Sequence, residues 1–232
     1  MTATARLSPR VAALIAQRRA NRGRLVFALD ATASREPTWD LAAQLQVQMF
    51  EEAAKIGNLD VQLLYYRGDE VRASAWSSDA VELMQRMREI RCMAGATKIA
   101  QVLEHIQQED ARAKVSAAIF IGDAVEEPPT ELYDAAADLS VPLFVFQEGD
   151  GPALCLDPGR WPPAPQHPPQ TVEQVFRELA RLTGGAYGKF DAGAAKQLGE
   201  LLRAVAAFAV GGVKALANQR TDSARLLLRQ LK

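Results

Sequence analysis

Three near-continuous apolar runs constrain the fold of this chain more than any other feature. They lie at residues 25–29 (LVFAL), 115–121 (VSAAIFI) and 141–146 (VPLFVF). A strand with one wet face alternates apolar and polar residues, so runs of this kind mark strands covered on both faces. Stripes at helical spacing separate them. Leu41, Leu45, Met49, Ala53 and Ile56 form one, ended by Gly57. Val81, Met84, Met87 and Ile90 form a second, and Ile99, Val102, Leu103 and Ile106 a third. Pro128-Pro129 opens a helix to about Leu139, and Val172, Val175, Phe176, Leu179 and Leu182 make a further stripe ended by Gly184-Gly185. A short strand at 186–190 and a long helix from about Ala194 follow. Strands alternating with helices predict a doubly wound α/β architecture with a mostly parallel sheet. Segments 61–66 and 71–76 flank Arg67-Gly68-Asp69-Glu70, which predicts a hairpin and one antiparallel edge strand.

The 232 residues suffice for one large domain with extensions. Residues 1–23 read as a helical extension with Ser8 as cap and Pro9 at its first position. Residues 24–210 read as the domain, and 211–232 as a helical tail. Segment 158–170 (PGRWPPAPQHPPQ) is a proline-rich insert in which Trp161 either offers a contact anchor or tucks against the domain and pins the loop. The tail's Leu226, Leu227, Leu228 and Leu231 either pack back on the domain or meet a partner. Hydrophobic content of 48% marks a globular chain, and a net charge of −1 argues against bulk binding to nucleic acid or an anionic membrane. Cys92 and Cys155 form no CxxC pair, which excludes a disulfide framework or zinc ribbon and suggests the cytoplasm. The apolar run 11–16 is too short for a signal-peptide core.

Chemistry concentrates where the strands end. The first run passes directly into Asp30-Ala-Thr32-Ala-Ser34, the second into Gly122-Asp123, and Thr97 opens the helix before the second run. In open α/β sheets the ligand crevice lies outside the carboxyl ends of the strands, so the topology can converge these five side chains. Singly, Thr97 and the 30–34 segment are consistent with helix caps, and Asp123 with a loop residue. Together they are hard oxygen donors that suit Mg²⁺, Mn²⁺ or Ca²⁺ and not zinc. Two aspartates neutralise a divalent ion while three alcohols add no charge, leaving an electrophilic, half-coordinated cation.

The set Asp30-x-Thr32-x-Ser34, Thr97 and Asp123 resembles the metal-ion-dependent adhesion site (MIDAS) of von Willebrand factor type A (VWA) domains. The resemblance extends in element order over residues 24–209. It implies a Rossmann-like fold in which Thr32, Ser34 and Thr97 touch the metal while Asp30 and Asp123 act largely through water. It further implies a protein–protein interaction module whose partner supplies an Asp or Glu to the metal, and a partner encoded nearby, such as an ATPase. Threonine at 32 departs from the serine commoner in that family.

An enzyme is the alternative: a metal-dependent hydrolase with Glu126 or Glu127 as base. Those two residues also suit the start of the helix at 129, where carboxylates complement the dipole. His105 and His167 lack a nucleophile motif, Gly149-Asp-Gly151 lacks the features of a phosphate loop, and Arg67-Gly68-Asp69 serves a turn.

Overall fold

The structure, a computed structural model, describes residues 22–36, 59–150, 170–191 and 195–231. Strand β1 (Gly23–Asp30) lies inside the sheet, and Leu25 through Leu29 are wholly buried. Successive side chains point to opposite faces. Leu25, Phe27 and Leu29 enter one core layer, and Val26 and Ala28 the other. That double burial is why the sequence shows no alternation here.

β2 (Leu59–Arg67) pairs parallel with β1 and antiparallel with β3 (Glu70–Ala73). Their turn uses Gly68 at φ 50°, a left-handed conformation in which a side chain would be strained. Next come α1 (Ala80–Glu89), α2 (Ile99–Arg112), β4 (Ala117–Gly122), α3 (Pro129–Ala137) and β5 (Leu143–Glu148). After these come α4 (Val172–Leu182), β6 (Tyr187–Phe190), α5 (Ala195–Ala217) and α6 (Asp222–Leu228). The sheet order is β3-β2-β1-β4-β5-β6, parallel except for β3. α2, α3 and α4 contribute Val102, Leu132 and Val175 to one face; α1, α5 and α6 contribute Met87, Leu201 and Leu227 to the other. Because β2 and β4 lie on opposite sides of β1, the chain switches direction there. The carboxyl ends of β1 and β4 therefore flank the crevice.

Three local features differ from expectation. The hairpin's second strand stops at Ala73; Ser77 pairs again with Val61 as an isolated bridge, and Trp76 between them donates its indole N–H to Glu109 Oε2 (2.7 Å). On α1, Val81 is exposed and Leu83 takes the buried place beside Met87 and Ile90. α5 breaks at Gly211 and Gly212, the latter at φ 63°, and the chain returns through α6.

The described tail is packed: Leu216, Ala224 and Leu227 are in the core. The Gln230 carboxamide closes the edge of β6, accepting from Tyr187 N and donating to Tyr187 O, both at 2.9 Å. Of the 1–23 extension only Arg22 and Gly23 are described; the stripe from Leu41 to Ile56 and the proline-rich insert with Trp161, Gln170 excepted, lie outside the described residues. No helix among the described residues is long and apolar enough to cross a membrane.

Candidate metal centre

β1 delivers Asp30, wholly buried, to the crevice. Its Oδ1 accepts the Thr32 N–H at 2.7 Å, an Asx turn that folds the chain off the strand. A 3-10 turn over Ala33–Arg35 follows, closed by Arg35 N donating to Thr32 O. The turn sets Thr32 Oγ1 3.1 Å from Ser34 Oγ. Asp30 Oδ2 accepts the Tyr66 hydroxyl at 2.9 Å. Burial, with the adjacent Asp30 charge, pushes the Tyr66 hydroxyl well above the usual tyrosine range, so it stays a donor.

β4 ends beside the same place. A methyl group on Gly122 would meet the Phe120 ring at 2.9 Å and lie 3.6 Å from Asp30 Cβ. The next residue, Asp123, is half-buried beside Ser34, and its Oδ1 is buried without a hydrogen-bond partner. Burial raises the Asp30 carboxyl, and burial plus the neighbouring Asp30 charge raises that of Asp123. A pair of desolvated carboxylates is thus short of positive charge.

Thr97 arrives by a different route. It is buried, and its hydroxyl donates to Glu127 Oε2 and accepts from Glu126 N, each at 2.9 Å. Its own N–H donates to Glu126 Oε2 (2.8 Å). Glu127 also takes the Ile99 and Ala100 N–H groups, at 2.8 Å each. Glu127 therefore satisfies the amino terminus of α2, where neither Thr97 nor Lys98 supplies a side-chain cap. The two glutamates serve α2 rather than the start of α3, and Glu127's oxygens are engaged by three donors. That engagement leaves Glu127 a poor base. Asp30, Thr32 and Ser34 are hydrogen-bonded in series with Asp123 beside them, whereas Thr97 is tied to the loop after Asp123 through Glu126 and Glu127.

The donor set fits a hard divalent cation. Asp123 Oδ1 is an unsatisfied acceptor beside a second carboxylate and two hydroxyls. Among the described residues no group of three or more His, Cys, Asp or Glu is placed to hold a metal ion. Cys92 is half-buried, and burial pushes its thiol up to about 11, so it supplies no thiolate. His105 bonds Gln62 Oε1 (2.9 Å), away from this cluster. Sequence reading missed Tyr66, Arg35, Glu148 and the capping role of Glu127. Of these only Tyr66 carries a signal, a polar tip at the end of an apolar strand.

The chain matches no family model and no curated protein. Solved structures do match. A von Willebrand factor type A protein from Catenulispora acidiphila has TM-score 0.61 and 14% identity, over 82% of this chain and 43% of that one. This chain therefore spans less than half of that structure. BatB from Bacteroides thetaiotaomicron, a conserved hypothetical protein, gives 0.54 and 18%, over 77% and 96%. The SpRpn10 VWA domain gives 0.56 and 7%, over 75% and 90%. At these identities the likeness is one of architecture, and the six-stranded α/β fold of this chain is that of the von Willebrand factor type A domain.

Proposed function

We propose that the rim formed by Asp30, Thr32, Ser34, Thr97 and Asp123 is a MIDAS-type site. It holds Mg²⁺, Mn²⁺ or Ca²⁺ and captures an acidic residue of a partner protein. The observation that carries this reading is the buried Asp123 Oδ1, an acceptor with nothing donating to it beside a second desolvated carboxylate. When bound, the cation supplies an electrophilic centre with room for an outside oxygen. The chain's own residues do the rest. Tyr66 and the Thr32 N–H fix the Asp30 carboxylate, the 32–35 turn aligns two hydroxyls, and Glu127 holds the Thr97 loop to the Asp123 loop. A charge-neutral set of two aspartates and a dication favours a third carboxylate from outside. An ATPase encoded beside this chain is the first partner to test. The three donors on Glu127 count against it as a hydrolytic base, while Glu126 accepts only the Thr97 N–H.

Water-proton relaxation with Mn²⁺ tests the proposal. The wild-type protein should bind Mn²⁺ at millimolar levels or better and enhance relaxation. Adding N-acetyl-aspartate amide should lower that enhancement as its carboxylate displaces water, while the asparagine analogue should not. Undiminished Mn²⁺ binding by Asp123→Ala would remove the site. Phosphoester turnover that disappears in Glu127→Gln would restore the hydrolase.

A further inference from the structure

Arg35 stands in the turn that carries Thr32 and Ser34, and it is only 1% exposed. Its Nη1 donates to the Asp30 carbonyl at 2.8 Å and its Nε to Glu148 Oε2 at 2.7 Å. Glu148, 6% exposed, is the last residue of β5. In the sheet β5 is separated from β1 by β4, so this side chain ties the end of β1 to a strand about 10 Å away. A buried ion pair is a poor source of net stability, since desolvating both charges offsets most of their attraction. Its placement is more informative. The guanidinium grips the backbone at Asp30, and the residue bearing it closes the turn on Thr32 O. The two hydroxyls at 32 and 34 therefore have their spacing set by a group that offers no oxygen to a metal.

We propose that Arg35, clamped by Glu148, is the positioning residue of the cation site, and that metal affinity depends on Glu148 although it contacts none of the five candidate ligands. The inference rests on the metal-site reading above. Electrostatics makes it decidable. Arg35 is a cation beside the carboxylates, so by charge alone it opposes a bound metal. Positioning and charge thus act with opposite signs, and a variant that keeps the charge but loses the planar fork isolates positioning. Outer-shell partners of metal ligands are worth 10–100-fold in affinity when they orient those ligands.

The experiment is Mn²⁺ calorimetry on the full chain, with melting followed in parallel. Arg35→Lys keeps the charge and loses the planar fork. It should bind about tenfold more weakly. The double variant Arg35→Met/Glu148→Leu removes both charges, a change that is often neutral or stabilising at buried pairs. It should fold with a melting temperature near wild type yet bind 10–100-fold more weakly. Arg35→Met alone strands a buried Glu148 carboxylate and is not needed for the decision. Tighter binding in the double variant would show that the pair opposes the metal and does not position its ligands. Unchanged affinity in both variants would make the pair purely structural. Either result overturns the proposal while leaving the metal site standing. Absence of Mn²⁺ binding in wild type would sink the metal reading and this one with it.

Discussion

β1 has charged chemistry at both ends, and the two ends are built in opposite ways. Five residues lie between Arg24 and Asp30, which are about 20 Å apart along the strand. At the amino end Glu109 is buried, but every demand it makes is met. The Trp76 indole donates to it, Arg24 and Arg112 pair with it, and the Arg24 guanidinium lies 3.9 Å over the Trp76 ring. Burial alone would raise the Glu109 carboxyl, yet the Trp76 N–H and Arg112 hold it below its usual range. At the carboxyl end burial wins. Asp30 and Asp123 are raised, and one Asp123 oxygen has no donor. The first cluster is balanced internally and serves folding. The second holds one arginine, Arg35, already paired with Glu148, so its two aspartates stay short of positive charge, as a candidate cation site requires.

The sharpest way to break this contrast is to supply the cation. Mg²⁺ or Mn²⁺ at a hundred times its dissociation constant should stabilise the wild-type fold by about 2.7 kcal/mol. For a chain of this size that raises the melting temperature by about 5–10 °C. Asp123→Ala should abolish the rise, as should Asp30→Asn, which keeps an acceptor for the Thr32 N–H. Glu109→Gln should retain all of it. A rise that survives in Asp123→Ala, or one that Glu109→Gln removes, would place the cation elsewhere.

A perturbation of the amino end should do the reverse. Glu109→Ala leaves the Trp76 N–H and the partly buried Arg24 without their acceptor, at a cost of about 2 kcal/mol. Metal affinity should be unaltered. The pH dependence follows from the sign of the shift. A carboxyl held low in the folded state contributes stability above its unfolded pKa, about 4.3, and loses it as pH falls through its folded value. Glu109→Gln should therefore flatten the acid limb of the wild-type stability curve. An acid limb of unchanged steepness would show that Glu109 is not held low.

The same contrast explains what the sequence revealed. β1, β4 and β5 were legible because burial on two faces writes a continuous apolar run, and Asp30 and Asp123 were legible because they interrupt such runs at their ends. The edge hairpin was readable from its turn, though not Trp76's departure from it. Side-chain partnerships over long separations leave no periodic trace. Arg35 and Glu148 are 113 positions apart, and Glu127 caps a helix that begins 28 residues earlier. Thr97 illustrates the consequence. Its position before a helical stripe suggested a cap, whereas the cap comes from a loop on the far side of β4. Local pattern located the candidate donors; the groups that hold them in place depend on packing.

The smallest expected effect tests the shortage of charge itself. Burial and the nearby Asp30 raise the Asp123 carboxyl above its unfolded value. A group raised in this way favours the folded state most below the unfolded pKa, about 3.9, and that advantage is lost as pH rises through the folded pKa. At neutral pH the raised Asp123 carboxyl therefore counts against the metal-free fold. Asp123→Asn removes that charge with little change of shape, so metal-free protein at pH 7 should melt slightly higher in the variant. Below pH 4 the difference should vanish, because the wild-type carboxyl is then protonated as well. With saturating Mg²⁺ at pH 7 the order should invert, since only wild type gains the binding energy. A variant that melts lower than wild type in metal-free buffer at neutral pH would mean Asp123 is already satisfied. The carboxyl end of β1 would then be balanced like the amino end.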